Sequence, residues 1–415
     1  MTLGTKTVFA MLLALMTAPG AVHAAGDVIA VVKSGNLVLI GDAEGNTVTI
    51  DQAGLPVTDF QITPAGTTTV NGIAAAVVLT GVTKGLVATL GEGPNTLVTT
   101  AVAFPGNVVV KAGSLDDTVV LGGDIAGNVK IVLGAGENTF FLDNGSAVVG
   151  KLDVKAGEGG DAIFINNGAT VGNNVKLALG AGANAVFLNP ASQVTGNVVV
   201  KAKDGTDDFF LNNNAIIAKN LTLDLGAGGN DIFLNNNSTV TGSVVVKGTA
   251  GDDDFFLNDG ASIGETLLLK FGAGANDVFL NGNTSVAGNV VFKTKQGNDG
   301  FFLNGTATVG GTLVLTLGDG TNAAFLNPAS AVGGAVIVKT GAGDDQIGIE
   351  QATLHSNVTL LAGNGTNTIG CTNAPITGNL TIKAGDGNDA VDTTGTTVGG
   401  TTTINADGGT NTIVP

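Results

Sequence analysis

The fold is decided by a repeat, and residues 207–258 show it in adjacent copies: DDFFLNNNAIIAKNLTLDLGAGGNDIFLNNNSTVTGSVVVKGTAGDDDFFLN. Phe210, Phe233 and Phe256 lie 23 residues apart in it. The spacing continues in both directions without an insertion, through Phe141, Phe164, Phe187, Phe210, Phe233, Phe256, Phe279, Phe302 and Phe325. A unit this short cannot bury its apolar side alone, so the units must stack in register. The spacing predicts an all-β parallel β-helix, or β-solenoid, with about 23 residues per coil.

An Asn column follows the Phe column at a distance of two residues. It comprises Asn166, Asn189, Asn212, Asn235, Asn258, Asn281, Asn304 and Asn327. Stacked Asn side chains form hydrogen bonds along in-register strands. We therefore expect a ladder of Asn side chains.

A second period is twice as long. Lys155, Lys201, Lys247, Lys293 and Lys339 recur every 46 residues, because 201 − 155 = 46. The residues that follow them are small, and they alternate one coil on with Leu179, Leu225, Phe271 and Leu317. Large and small side chains in alternate layers interdigitate without voids. The unit of the sequence is therefore predicted to be a pair of coils.

The repeat divides the chain into four parts. Residues 1–24 are predicted to be a signal peptide, 25–106 irregular N-terminal coils and a cap, 107–350 the regular solenoid, and 351–415 less regular coils of the same solenoid. In a regular coil we expect strands at 198–202, 207–211 and 215–217, with glycine and asparagine turns between them.

The first residues have the pattern of an export signal. Lys6 precedes an apolar run at 8–16, and small residues at Val22 and Ala24 favour cleavage after Ala24. The run is too short to span a membrane, and we expect no transmembrane segment. The mature chain is predicted to be secreted or to lie at the cell surface.

Composition argues against a nucleic-acid partner. The formal charge is −17, every basic residue other than His is Lys, and the chain contains no Arg, Trp or Tyr. Phosphate clamping and base stacking depend largely on those missing side chains.

Cys371 is the single cysteine, so no internal disulfide is possible. Either it links two chains, or it is a small apolar residue in a late coil, aligned near Ile349, and we favour the latter.

Acidic residues form two columns. In the first, Asp and Asn alternate without exception three residues before each Phe position: Asn138, Asp161, Asn184, Asp207, Asn230, Asp253, Asn276, Asp299, Asn322 and Asp345. Carboxylates in every coil would repel by about 1 to 3 kcal/mol, and the alternation separates them. The second column, Asp208, Asp231, Asp254 and Asp277, stacks directly. It indicates either a cation site or a solvated acidic edge that Lys201 and Lys247 partly balance.

The glycine turns resemble the calcium-binding nonapeptide of RTX proteins, GGxGxDxUx. The best matches are Gly157-Gly159-Asp161-Ile163, Gly341-Gly343-Asp345-Ile347 and Gly385-Gly387-Asp389-Val391. The resemblance implies Ca²⁺ held between coils by turn carbonyls and carboxylates. The chain departs from that pattern because the motif occurs once per coil and every second Asp is Asn. With the stacked acids, the candidate calcium ligands are Asp161, Asp207, Asp208, Asp231, Asp253, Asp254, Asp277, Asp299, Asp345 and Asp389.

Two columns of apolar side chains are candidates for the outer surface. If the RTX register holds, the Phe column points outward, whereas the Asn ladder favours a Phe column stacked in the core, which is the arrangement we expect. On the first strand Val199, Thr222, Val245, Leu268, Val291, Val314 and Ile337 are predicted to point outward. This stripe predicts lateral packing on another rod or a matrix.

These features predict a non-enzymatic structural or adhesive solenoid, similar to exported bacterial β-strand-repeat surface proteins, that associates with itself or contacts a matrix. An open strand edge at the last coil would favour end-to-end association unless Pro415 blunts it. The alternative is an RTX-like β-roll whose folding requires calcium. A polysaccharide-active β-helix enzyme ranks third, since its usual catalytic groups are scarce and His355 is expected in a solvated turn.

Overall fold

The structure, a computed structural model, describes residues 26–415. The regular elements of this part of the chain are all β-strands. They wind into a β-solenoid of about 14 turns in which equivalent residues lie about 23 apart. The predicted all-β fold class and parallel β-helix are confirmed. The predicted signal peptide, residues 1–24, lies outside the described residues.

Each regular coil contributes a strand to face 1 and a strand to face 2. The face 1 strands are Val108–Lys111, Val129–Val132, Leu152–Lys155, Val175–Ala178, Val198–Lys201, Leu221–Asp224, Val244–Lys247, Leu267–Lys270, Val290–Lys293, Leu313–Thr316, Val336–Lys339, Val358–Leu361, Leu380–Ala384 and Thr402–Ala406. The face 2 strands are Thr118–Ile125, Thr139–Val148, Ala162–Ile165, Ala185–Leu188, Asp208–Leu211, Asp231–Leu234, Asp254–Leu257, Asp277–Leu280, Gly300–Leu303, Ala323–Leu326, Gln346–Glu350, Thr368–Thr372, Ala390–Asp392 and Thr412–Val414.

A third, two-residue strand closes most coils and forms face 3. These strands are Thr170–Val171, Gln193–Val194, Ile216–Ile217, Thr239–Val240, Ser262–Ile263, Ser285–Val286, Thr308–Val309, Ala331–Val332, Thr353–Leu354, Pro375–Ile376 and Thr397–Val398. In the first two regular coils the long strands Thr118–Ile125 and Thr139–Val148 continue from face 2 into face 3, since Val148 pairs with Val171.

Neighbouring strands within the three faces pair in parallel, and their register is constant except at an irregularity within Thr118–Ile125. Val198 pairs with Leu221 in face 1, and Phe210 pairs with Phe233 in face 2. Each side chain therefore lies on its equivalent in the next coil, about 4.8 Å away. Toward the C-terminal end the shift shortens by one residue, as in the pairing of Val336 with Val358.

The solenoid begins with antiparallel hairpins. Its first strands are Asp27–Lys33, Asn36–Gly41, Thr47–Asp51, Phe60–Pro64, Thr69–Val70, Val77–Leu79, Leu86–Thr89 and Thr96–Phe104. The first two pair antiparallel, and so do the third and fourth. The second then pairs in parallel with Leu86–Thr89, and the third with Thr96–Phe104. The hairpins thus supply the edges on which faces 1 and 2 grow.

The core lies between faces 1 and 2 and is filled by every second residue of each strand. Val198, Val200, Phe209 and Leu211 are buried in one such coil. Burial of each side chain contributes about 1.5 to 3 kcal/mol. In a later coil the rings of Phe292 and Phe301 meet across the core, with centroids 6.5 Å apart. The third residue of a face 1 strand therefore lies opposite the second residue of the face 2 strand.

The turn between faces 1 and 2 requires glycine at one position of each coil. Gly228 has a φ of 135°, and a Cβ there would lie 1.8 Å from the carbonyl oxygen of Gly205 in the preceding coil. The N–H of Gly228 donates to the carbonyl of Ala250 in the next coil at 2.7 Å. The turns therefore stack as closely as the strands, and only glycine allows this approach.

Candidate functional site

The Phe column lies on the outer side of face 2. Phe210 is only partly buried, whereas its neighbours Phe209 and Leu211 are fully buried. The expectation that this column packs in the core is therefore wrong. The physical reason is that each Phe has an apolar residue on both sides in the strand. Burying those two side chains removes more apolar area from water than burying the single Phe between them.

The outward Phe side chains form one continuous stack, the Phe ridge, from Phe141 to Phe325. Successive ring centroids are 4.7–5.9 Å apart, and successive ring planes are within 11° of parallel. Each such pair contributes about 0.5 to 1.5 kcal/mol beyond burial. Eight steps of this size give an apolar ridge on the order of 40 Å long.

The Asn ladder runs beside the Phe ridge on the same outer side. The Nδ2 of Asn189 donates to the Oδ1 of Asn166 at 2.7 Å. The same bond, at 2.6–3.4 Å, joins Asn212, Asn235, Asn258, Asn281, Asn304 and Asn327 to the Asn one coil earlier. The predicted hydrogen-bonded ladder is confirmed. The ladder does not place the Phe column in the core, because the Asn amides hydrogen-bond to one another on the outer side of face 2.

An acidic column borders the other side of the Phe ridge. Asp208, Asp231, Asp254 and Asp277 are directly paired from coil to coil, as predicted. Burial raises the pKa of each of the four carboxyls, and the pKa of Asp254 reaches about 6. Repulsion from neighbouring carboxylates adds to the shift at Asp208 and Asp254. Face 2 therefore carries concentrated negative charge in its middle coils.

The column in which Asp and Asn alternate is buried in the glycine turns, where it forms the Asp–Asn ladder. The Nδ2 of Asn184 donates to the Oδ1 of Asp207 at 2.7 Å, and its backbone N–H donates to the same oxygen at 3.2 Å. The backbone N–H of Asp207 donates to the Oδ1 of Asn230 at 3.0 Å. The amide-to-carboxylate bond recurs at Asp117, Asp161, Asp253, Asp299, Asp345 and Asp389.

The alternation in this ladder has a hydrogen-bonding cause as well as an electrostatic one. Every member accepts a backbone N–H through Oδ1, but only Asn has a side-chain N–H to donate to the next coil. An Asp after each Asn gives that amide a charged acceptor, which strengthens the bond. Two Asp in succession would lose the bond and bring two buried carboxylates within a coil spacing of about 5 Å.

Burial disfavours the ionised form of the ladder carboxyls. Burial raises the pKa of Asp117, Asp161, Asp207 and Asp253 to about 6, although hydrogen bonds from the preceding Asn oppose the shift. In Asp161, Asp207 and Asp253 the second oxygen, Oδ2, is buried and has no hydrogen-bond partner within residues 26–415. These side chains are therefore best satisfied when a proton is bound.

A small residue lies five positions before each Asp of the ladder in the regular coils. Before Asp253 it is Gly248, and a Cβ there would lie 2.0 Å from that Oδ2. Before Asp299 and Asp345 it is Thr294 and Thr340, whose nearby hydroxyls lower the pKa of the carboxyl against the larger, raising effect of burial. Oδ2 of both carboxyls nevertheless lacks a partner at hydrogen-bond geometry among the described residues. The small residues of the 46-residue period thus make room for a carboxyl. Sequence reasoning attributed them to packing alone.

The candidate calcium ligands fall into two separate groups. Six of them lie in the Asp–Asn ladder, where Oδ1 already accepts N–H donors: Asp161, Asp207, Asp253, Asp299, Asp345 and Asp389. The other four form the outer acidic column of face 2. No group of three or more His, Cys, Asp or Glu side chains in the described part of the chain is arranged to hold a metal ion. Calcium binding stays a prediction.

The outer side of face 1 combines an apolar stripe with a basic edge. Val199, Val245 and Val291 are partly exposed, as predicted, and Ile337 is 36% exposed. At the end of the same strands an exposed Lys column comprises Lys201, Lys247, Lys270, Lys293 and Lys339. Faces 1 and 2 therefore carry opposite charge, a feature that sequence reasoning missed because it assigned no facing direction to the Lys column.

The remaining chemically notable residues lie apart from these faces. Cys371 is buried beneath Ile349, as predicted, and burial raises the pKa of its thiol to about 11. His355 is exposed in the turn after Leu354, also as predicted. A groove of about 550 Å³ near the N-terminal hairpins has a mainly apolar lining, in which Asp124 alone is titratable.

Between residues 26 and 415 there is no helix of the length and hydrophobicity needed to cross a lipid bilayer. Comparison with protein-family models, with curated proteins and with solved structures found no match to this chain.

Proposed function

We propose that the protein is a non-enzymatic structural or adhesive solenoid that acts outside the cell and contacts other molecules through its flat outer faces. The observation that carries this proposal is the Phe ridge. Nine aromatic rings lie in one line on the outside of the protein, each partly exposed, with no strand or loop of residues 26–415 covering them. Contiguous apolar patches of several hundred Å² on a soluble protein mark interaction surfaces.

The shape of the surface indicates the kind of partner. Face 2 repeats every coil and extends for about 40 Å, so it fits an extended, regular surface better than a small molecule in a pocket. The Asn ladder and the acidic column on either side add polar groups at the same repeat. A matrix polymer, a component of the cell surface or another copy of the chain has the required extent. The absence of Arg, Trp and Tyr argues against nucleic acid.

Export supports the same proposal. The N-terminal segment has the charge and apolar pattern of a signal peptide with cleavage after Ala24, and a charge of −17 favours solubility. We therefore place the mature chain in the extracellular space or at the cell surface.

Retention on flat insoluble solids tests this function. Mature protein is incubated with crystalline cellulose, chitin and apolar polystyrene beads, and the bound fraction is measured. We expect retention on at least one solid, and a loss of at least tenfold when Phe210, Phe233 and Phe256 are changed to Ser. Ile216→Ser, on the outer side of face 3, is the matched control and retains binding. Equal retention of both variants, or no retention of the wild type, contradicts the proposal.

A second candidate is an RTX-like module whose folding depends on calcium. The stacked carboxylates of Asp208, Asp231, Asp254 and Asp277 support it, since their mutual repulsion would be relieved by a divalent cation. Thermal unfolding followed by circular dichroism, with EGTA and with millimolar Ca²⁺, separates the two candidates. A large rise in Tm with calcium favours the second candidate, and an unchanged Tm favours the first.

A further inference from the structure

We infer that copies of this chain stack through unlike faces, with face 2 of one copy against face 1 of the next. This inference rests on the proposed structural function and names a second copy of the chain as the partner. It is carried by the order of the columns on the two faces and by their opposite charges.

The column order is set by the packing inside one coil. Phe292 of face 1 and Phe301 of face 2 meet across the core. Their outward neighbours are therefore also opposite one another, with Val291 behind Phe302 and Lys293 behind the position of Gly300. In the six coils from Val199 to Val314 the apolar stripe of face 1 lies directly behind the Phe ridge of face 2, whereas Lys130, Asp153 and Lys176 lie behind Phe141, Phe164 and Phe187. In the Lys column, Lys201, Lys247 and Lys270 lie behind members of the acidic column, whereas Lys293 and Lys339 lie behind Gly300 and Gln346.

A copy displaced along the normal to the faces, without rotation, therefore brings complementary columns together. Its valine stripe lies over the Phe ridge and its Lys column lies over the acidic column. Coil by coil, Lys201 meets Asp208, Lys247 meets Asp254 and Lys270 meets Asp277. The coils of two identical rods have the same spacing, so the apolar match extends over these six coils. The exception is Asp224, which meets Asp231 but lies between Lys201 and Lys247 in its own column.

Pairing through like faces lacks this complementarity. Two copies joined by face 2 would leave the acidic column without a positive partner, while its carboxyls would lose further contact with water. That loss is unfavourable because burial already raises the pKa of these groups. Unlike faces give Asp208, Asp254 and Asp277 a Lys each and leave the second face of every copy free.

The size of the contact predicts its strength and its growth. A strip of six coils, on the order of 29 Å by 13 Å, covers roughly 400 Å² of each copy, or about 800 Å² in total, which is smaller than a standard stable interface. The association is therefore reversible and depends on concentration. Because an unlike-face contact without rotation does not close on itself, it continues beyond the dimer into open stacks.

Charge reversal on one face at a time tests this arrangement by sedimentation velocity. The face 2 variant carries Asp254→Lys and Asp277→Lys, and the face 1 variant carries Lys247→Asp and Lys270→Asp. We expect wild type to form dimers and larger species as its concentration rises, and each variant alone to associate at least tenfold more weakly. An equimolar mixture of the two variants restores association, because each face then finds its complement. Restoration also shows that both variants are folded.

A matched control carries Lys203→Asp and Lys295→Asp, which change the net charge by the same amount as the face 1 variant but lie in the glycine turns. We expect this control to associate like wild type. A wild type that stays monomeric at several hundred micromolar overturns the inference. So does a face 1 variant that associates like wild type, or a mixture no more associated than its components. A monomer that still binds the insoluble solids would overturn stacking alone, whereas a monomer that binds none of them would remove the proposed function too.

Discussion

At the scale of single residues, the Asp–Asn ladder joins the chemistry of the turns to the stability of the rod. Each buried carboxyl accepts N–H groups through one oxygen, while the other oxygen of Asp161, Asp207 and Asp253 lacks a partner among the described residues. The ladder therefore holds the coils together and also contains groups that prefer to be neutral. Protonation strengthens this part of the fold instead of weakening it.

This preference predicts the pH dependence of stability. Asp117, Asp161, Asp207 and Asp253 have pKa values raised to about 6, so between about pH 4 and pH 6 the folded chain binds more protons than the unfolded chain. Their contribution is fully present below that window and is lost as pH rises through it. We expect a higher guanidinium unfolding midpoint at about pH 5.5 than at about pH 8.

Asp253→Asn is the control for this interpretation. An Asn there can accept from Asn230 through Oδ1 and donate to the Gly251 carbonyl, as Asn230 does to Gly228 at 3.0 Å. The variant is expected to gain about 1 to 3 kcal/mol at pH 8, with the gain vanishing toward pH 4. Asp253→Ala removes the acceptor and destabilises the fold at both pH values. A pH profile identical in Asp253→Asn and wild type would contradict the assignment.

The alternation of Asp and Asn was visible in the sequence, but the burial of this column was not. Side-chain direction within a strand follows from its two-residue period. The ladder residues precede the strands, in turns whose backbone passes through left-handed glycine conformations, where that period does not apply. The small residues five positions earlier were the available signal, because they coincide with Asp and never with Asn in the regular coils.

At the scale of the strand, two adjacent Phe side chains serve different purposes. Phe255 points into the core and is fully buried, whereas Phe256 belongs to the Phe ridge, with ring centroids 4.7 Å from Phe233 and 5.2 Å from Phe279. Sequence reasoning could locate both columns but assigned the wrong one to the core. The Asn ladder suggested that the Phe two residues earlier points inward. The apolar residues on both sides of each ridge Phe point inward instead, and they turn that Phe outward.

Substitution of the two residues measures this difference. Phe255→Ala leaves a cavity and is expected to destabilise the protein by about 3 to 5 kcal/mol. Phe256→Ala removes two ring stacks from a partly exposed site and is expected to cost about 1 to 2 kcal/mol. Guanidinium unfolding at fixed pH gives both values. A larger loss at Phe256 would mean that the ridge, and not the inner column, is the core.

At the scale of the whole molecule, the length and strand order of the coil were predicted well because several columns of the sequence repeat at the same spacing. The Phe, Asn and glycine columns repeat at one spacing, and each independently indicates the same strand and turn boundaries. The hairpins of residues 27–79 carry no such repeat, so their antiparallel pairing was not predicted. The opposite charges of faces 1 and 2 also emerge only when the packing across the core places the Lys and Asp columns back to back.

Removal of whole coils tests the pairing of coils in the ladder. Deletion of residues 208–253 joins Asp207 to Asn276 in the next coil and keeps the alternation. Deletion of 208–230 makes Asp207 and Asp253 neighbours in the ladder. The hydrogen bond from an Asn side-chain amide is then lost, and two buried carboxylates meet. We expect the longer deletion to be the more stable variant at pH 8, with the gap narrowing at about pH 5.5. Thermal unfolding by circular dichroism measures both, and equal Tm values would argue against the ladder.

The ladder also constrains how the gene can change. Repeated coding segments gain and lose copies readily by slippage and unequal crossing-over. A change of one coil places either two Asp or two Asn in succession and breaks the alternation, whereas a change of two coils leaves each hydrogen bond as it was. Inherited length variants of this gene are therefore expected to differ by even numbers of coils, and the rod will lengthen in steps of about 10 Å over evolutionary time.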